Sequence, residues 1–120
     1  MMDHLLFIET GVGVDVHGQD VTTASVRAVF NAIHKNSMPG ITDILPEHNL
    51  NRMKVNIRLA VPRDKELLNI SKVKAVIPYG TVTVEVMDGG MAAPSGIVLK
   101  EQNDQNDLMY IVNASVEVGY

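Results

Sequence analysis

The residues with the clearest chemical potential lie in one short stretch near the start of the chain, Gly11-Val12-Gly13-Val14-Asp15-Val16-His17-Gly18. A carboxylate and an imidazole stand two positions apart in it, as Asp15 and His17. If a strand extends that far, both side chains point to the same face, about 6.5–7 Å apart at Cα. This pair predicts two ligands for zinc or a similar divalent ion, or an oriented acid/base pair.

Other readings of the same stretch remain open or are weaker. Asp15 could orient His17 or cap the following helix with no metal bound. Nucleotide binding is disfavoured because a GxGxxG fingerprint needs glycine at position 16, where this chain has Val16. Gly11, Gly13 and Gly18 remove side chains, so another group can approach the backbone closely. They are therefore candidate substrate-contacting positions.

Further candidates come from other parts of the chain. His48 sits beside Glu47 in a loop and is the best candidate for a third ligand or a proton-transfer group. A solvated loop histidine is an equally good reading. Glu9, Asn56 and Arg58 are candidates for binding an anionic small molecule.

Hydrophobic periodicity supplies the elements that would position these groups. A strand is predicted from His4 to Ile8, with its alternation continuing to Val16, and Asp20 is predicted to cap a helix over residues 21–35. Strands are predicted over 53–62, 81–87 and 108–118, with a short strand over 97–101. Residues 64–77 are helical in character, with an interruption possible near Asn69. The order β-α-β-α-β-β predicts a two-layer α/β sandwich with a mixed sheet, in one domain over residues 1–120.

Composition limits the classes of function. The net charge is −4 and the basic residues are scattered, which disfavours nucleic-acid binding. The sequence has no cysteine, no basic signal start and no apolar run long enough to span a membrane, which predicts a cytoplasmic protein. The second face of the sheet mixes polar side chains with Met87, Met109 and Ile111. Such a half-apolar face predicts a homo-oligomer.

Two resemblances add to this interpretation. The pattern Gly11-x-Gly13-x-Asp15-x-His17-Gly18 resembles the signature of a family of conserved hypothetical bacterial and plant proteins with no assigned activity. The same stretch is more distantly similar to the N-terminal motif of methylerythritol cyclodiphosphate synthase, a trimeric zinc enzyme of the chorismate mutase-like fold group. That resemblance implies metal binding by Asp15 and His17, a trimer, and sites near subunit boundaries.

Three departures from the synthase pattern make the same reaction improbable. The synthase's third ligand, a histidine, is matched by Ala24, its hairpin before the helix is missing, and its Thr-rich segment is replaced by residues 86–90. Two hypotheses follow. The first is an enzyme using a divalent metal, zinc first, or acid/base chemistry without a cofactor. The second is a non-catalytic oligomeric module, structural or binding a small molecule, in which the motif is structural.

Overall fold

The computed structural model describes residues 2–120. It contains five strands and three α-helices in that part of the chain, joined by turns and 3-10 helices. The elements are β1 (Leu5–Asp15), α1 (Val21–Ile33), α2 (Ile41–Ile44), β2 (Lys54–Val61), α3 (Ile70–Lys74), β3 (Thr81–Asp88), β4 (Met91–Pro94) and β5 (Leu108–Gly119).

The strands form one mixed sheet in the order β1-β5-β2-β3. β5 runs antiparallel to both of its long neighbours, whereas β2 and β3 are parallel. The short strand β4 pairs with the first residues of β5, beyond the end of β2. The predicted mixed α/β sheet with helices packed on it is thus confirmed.

Helix α1 packs directly on the backbone of β1. Its N-cap is Asp20, as predicted, because the Asp20 carboxylate accepts hydrogen bonds from the backbone N–H groups of Thr22 and Thr23. A Cβ atom at Gly13 would overlap the backbone of Ala24 and Ala28. Glycine on the strand and alanine on the helix therefore allow an unusually close approach, which fits the prediction that the glycines clear space.

Two predicted helices differ in their bounds from the structure. Helix α1 ends at Ile33 rather than residue 35. Residues 64–77 form a 3-10 turn at Lys65–Leu67 and the short helix α3, because Asn69 is extended (φ −85°, ψ 97°) and its side chain caps the N–H of Lys72.

The strand predicted over residues 97–101 is wrong. Lys100–Gln102 is a 3-10 helix, and the short strand is instead β4. Gly90 has a positive φ of 63° and lies against the backbone oxygen of Ile111, which brings the chain after β3 back onto β5. Any larger residue at this position would prevent that approach.

The helices cover one face of the sheet and leave the other face open. The covered face carries the buried core of β2 and β5, which includes Ile57, Leu59, Val112 and Val116. The open face is apolar where β1 ends; where β1 begins, polar side chains of the neighbouring strands lie beside the exposed Leu5 and Ile8. Its large exposed apolar side chains include Val12, Met87 and Met91, each 44–58% exposed. No helix among residues 2–120 is long and apolar enough to span a membrane.

Candidate functional site

The turn after β1 is held by a carboxylate from a distant loop. The Asp104 side chain is fully buried and receives four hydrogen bonds. Its Oδ2 accepts from His17 Nδ1 at 2.7 Å and from the backbone N–H of Leu99 at 2.8 Å. Its Oδ1 accepts from the N–H of Gly18 at 2.5 Å and from Gln19 Nε2 at 3.1 Å. Asp104 thus joins the motif to the loop that precedes β5.

These bonds keep Asp104 charged. The N–H of Leu99 is the largest cause that lowers the pKa of this carboxyl, and it outweighs the burial that opposes ionisation. Gly18, His17 and Gln19 lower the pKa further, to about 2. A charged, fully buried acceptor surrounded by donors is the arrangement that fixes a turn.

Asp15 has a different partner, although it stands in the same motif. It is 7% exposed, and its Oδ2 accepts the backbone N–H of Asp20 at 2.9 Å. Arg27 Nη1 lies 3.6 Å from Asp15 Oδ1. Asp15 therefore ties the end of β1 to the start of α1.

The predicted alternation does not continue from Asp15 to His17, because β1 ends at Asp15. The two side chains then bind separate partners rather than one common atom. Among residues 2–120, no group of three or more histidine, aspartate, glutamate or cysteine side chains lies close enough to hold a metal ion. The cation of Arg27 beside Asp15 also fits a metal ligand poorly.

The imidazole of His17 nevertheless has one free nitrogen. Nδ1 binds Asp104, while Nε2 forms no hydrogen bond with residues 2–120, and the side chain is 18% exposed. A carboxylate on Nδ1 fixes the tautomer that leaves Nε2 as a proton acceptor or metal ligand.

Gly11 and Gly13 face helix α1, not an open cleft. A Cβ atom at Gly11 would overlap the backbone of Ala28 and Ala32. The space that these glycines leave is occupied by the helix itself. Gly18 differs, because its φ of 102° is required by the turn and it lines a depression of about 260 Å³ with Gln19 and Asp64.

His48 lies at the other end of the sheet within one chain. Its Nδ1 is 2.9 Å from the backbone oxygen of Thr42. Its loop leads into Lys54, which pairs with Gly119, whereas Asp15 pairs with Tyr110. Nine residue steps along β5 separate these two pairs, or about 30 Å. His48 of the same chain is therefore not brought to His17.

Asn56 and Arg58 lie on the open face, in a network of charges. Arg58 Nε is 2.7 Å from Glu85 and its Nη1 is 2.7 Å from Glu117. Asn56 Nδ2 donates to Glu117 at 3.0 Å and its Oδ1 accepts from Thr83 at 3.0 Å. The hydrogen bond to Glu85 is the largest cause that raises the pKa of Arg58. The positive charge of Arg58 is thus already balanced by two carboxylates. Shallow depressions of about 420 and 580 Å³ lie on either side of Arg58.

Glu9 lies on the opposite side of the sheet from Arg58. It shares the helix-covered face with Gly11 and accepts a 2.8 Å hydrogen bond from Asn36. The structure therefore does not bring Glu9 together with Asn56 and Arg58.

The outer edge of β1 is covered by side chains of α1 and the residue stretch after it. They bond one outward-facing backbone group in each of three residues of the strand, which are spaced two apart. The pairs are Lys35 Nζ to the oxygen of Thr10 (3.1 Å), the N–H of Val12 to Asn31 Oδ1 (3.0 Å), and Arg27 Nη1 to the oxygen of Val14 (2.7 Å). This edge is closed to pairing with another strand.

Two of these features had no clear signal in the sequence. Asp104 stands in the polar segment Gln102–Asp107, where its type and neighbours predict only a solvated turn. The hydrogen bonds from α1 and the residues after it to the edge of β1 had no signal either. Both depend on contacts between residues that are far apart in sequence.

The protein thus has a mixed α/β fold, in which a glycine-bearing strand packs on a helix and a later loop holds an Asp-x-His-Gly turn. The chain belongs to the Lin0512 family of conserved hypothetical proteins, which it matches over residues 5–118. It is also similar to a solved structure, an FtsZ-like protein of unknown function from Nostoc punctiforme. Sequence identity is 40%, the TM-score is 0.86, and the match covers 96% of this chain and 93% of that one. No curated protein matches this sequence.

Proposed function

We propose that this protein is a non-catalytic, self-associating module in which the GxGxDxHG motif is structural. The observation that carries the proposal is the use of both motif side chains within the chain. Asp15 binds the start of α1, and His17 binds the buried carboxylate of Asp104. Neither the Lin0512 family nor the FtsZ-like relative brings a reaction that would require another role.

The open sheet face supports self-association. Its apolar end exposes Val12, Met87 and Met91, and Arg58 at its polar end is already paired with two carboxylates. A face of this kind gains stability when apolar area is removed from water. The partner is a further copy of this chain. A trimer is the stoichiometry implied by the resemblance to the synthase family, and that fold group is part of this proposal.

A charge placed on the open face should break this assembly. In Val12→Lys a lysine replaces a 47% exposed valine at the apolar end of the face. We expect the wild-type protein to be oligomeric and Val12→Lys to have a lower mass than wild type by light scattering after size exclusion. Met38→Lys is the matched control, because Met38 is 43% exposed in the loop after α1. A monomeric wild type, or identical masses for Val12→Lys and wild type, would contradict the proposal.

A second function is favoured by the orientation of His17. With Nδ1 fixed by Asp104, its free Nε2 could act as a general acid/base or as one zinc ligand, with His48 of a neighbouring copy as another. Zinc, if bound there, would supply Lewis-acid chemistry toward a small anionic metabolite.

If the zinc alternative holds, isothermal titration calorimetry should detect binding heat when zinc is added to protein that a chelator has freed of metal. We expect His17→Ala to abolish that heat, whereas His34→Ala, a change directly after α1, should leave it unchanged. No heat with wild type, or equal heat with His17→Ala, would remove this alternative. Retained zinc binding in a monomeric variant would argue against a contribution from a second copy.

A further inference from the structure

The two outer edges of the sheet differ in how their backbone groups are covered. Side chains from Arg27, Asn31 and Lys35 occupy the outward-facing groups of β1. The opposite edge is β3, and no strand of residues 2–120 lies beyond it. An uncovered edge is a template for pairing with another strand.

The direction of the backbone groups of β3 follows from its bonds to the rest of the chain. The N–H groups of Thr81 and Gly89 point toward the β2 side, where they donate to the oxygens of Met53 and Val61. Because backbone groups alternate along a strand, the groups of the even-numbered residues face outward. These residues are Val82, Val84 and Val86, and no hydrogen bond from within residues 2–120 covers their N–H groups.

The sequence of β3 suits strand pairing. Thr81 to Val86 alternates threonine, valine and glutamate, has no proline or glycine, and is rich in β-branched residues. Its valine side chains are only half buried on the helix side, because α3 has five residues and covers little of β3. Leu67 and Ile70 are 69% and 36% exposed beside this edge. Pairing with another strand would also cover this apolar strip.

We infer that β3 pairs antiparallel with β3 of a second copy of this chain about a two-fold axis. The covered edge of β1 excludes β3-to-β1 addition, which would be head-to-tail and would propagate along a filament. Pairing of β3 with itself is the arrangement that closes after two copies. The inference goes beyond the proposed function, because it concerns the sheet edge and not the open face.

Charge selects the register of this pairing. A two-fold axis at Val84 places Val84 opposite Val84, and Thr83 opposite Glu85 of the other copy. A shift by one residue that centres the axis on Glu85 would place two carboxylates opposite each other, which is destabilising. The Val84-centred register pairs residues 81 to 87, which is nearly the whole strand.

Amide exchange tests the edge without any substitution. In the paired state, the N–H groups of Val82, Val84 and Val86 should exchange at least ~100-fold more slowly than open-edge amides. Thr83 and Glu85 provide the internal reference, because their N–H groups face β2 and are protected in either case. Fast exchange at the three valines would overturn the inference.

Two variants at one position test the partner and the register. Val84→Pro removes only an outward N–H, which an edge strand tolerates, so we expect a folded protein with half the wild-type mass. Val84→Cys should be joined into a covalent dimer by a short thiol-reactive cross-linker, because the two opposed residues lie about 5.5 Å apart at Cα and the chain has no other cysteine. Met38→Cys, in the loop after α1, is the control away from both interfaces.

The outcomes separate the two interfaces. An unchanged mass for Val84→Pro together with no covalent dimer of Val84→Cys would overturn the edge pairing, whatever Val12→Lys does. A mass reduced by Val12→Lys alone would leave the open face as the interface. If Val84→Pro does not fold, the covalent dimer and the exchange pattern decide the question.

Discussion

Gly13→Ala is expected to lower the free energy of unfolding by about 3 kcal/mol, at the upper end of the usual cost of overpacking. The added methyl group would overlap the backbone of Ala24 and Ala28 in α1. A side chain can change its rotamer to avoid such a contact, but a helix backbone cannot. Helix α1 would have to move away from β1, and the core packing between the two elements would be lost.

Gly40→Ala is the matched control for this substitution. Nothing lies within 4 Å of a Cβ atom at Gly40, and its φ of −84° suits any residue. We expect a change within about 0.5 kcal/mol for Gly40→Ala. Urea unfolding followed by circular dichroism gives both values. An unchanged midpoint for Gly13→Ala would show that α1 does not rest on the strand backbone as described.

The sequence predicted the central elements because their patterns are local. Strands β2, β3 and β5 alternate with period two, and the N-cap of α1 is signalled by Asp20 directly before an apolar helical stretch. The split of β1 into a glycine face and a valine face was also visible. The sequence did not show which of these two faces the helix covers, because that depends on how closely the backbone of α1 approaches the strand. The glycine face is buried, and Val12 stays exposed.

Elements that depend on distant contacts were not predictable in the same way. Strand β4 exists because Gly90 turns the chain onto Ile111, and a four-residue segment carries too little pattern to reveal this. By contrast, the break near Asn69 was predicted, because the cap that starts α3 there is local. The bond between His17 and Asp104 joins residues 87 positions apart.

In the candidate site, too, the local pattern was predictable and the distant contacts were not. Asp15 and His17 were identified from their types and spacing, but their partners were not. His48 was proposed to join this pair from this chain or from a neighbouring one, and within one chain its loop would have to return to the end of β1. It leads instead to the start of β2, at the opposite end of the sheet. These assigned roles stay predictions, to be tested with the variants described above.

Asp104→Asn is expected to lower the melting temperature by about 5–10 °C at neutral pH, because it removes a buried charged acceptor. In asparagine an NH₂ group replaces one of the two oxygens. This donor would face another donor, either His17 Nδ1 or Gln19 Nε2, and the hydrogen bond there would be lost. Asp107→Asn is the matched control in the same loop. The Asp107 side chain forms no hydrogen bond with residues 2–120, so the melting temperature of Asp107→Asn should stay close to that of wild type.

The loss in Asp104→Asn should depend on pH. Hydrogen bonds to Leu99, Gly18 and His17 lower the pKa of Asp104 from 3.8 to about 2 in the folded protein. A carboxyl whose pKa is lowered by folding stabilises the folded state fully above pH 3.8, and this contribution is lost as the pH falls through about 2. The difference in melting temperature between wild type and Asp104→Asn should therefore be constant above pH 3.8 and shrink toward pH 2. A difference that stays the same down to pH 2 would mean that the charge of Asp104 does not hold the turn, and the structural role of the motif would then rest on Asp15 alone.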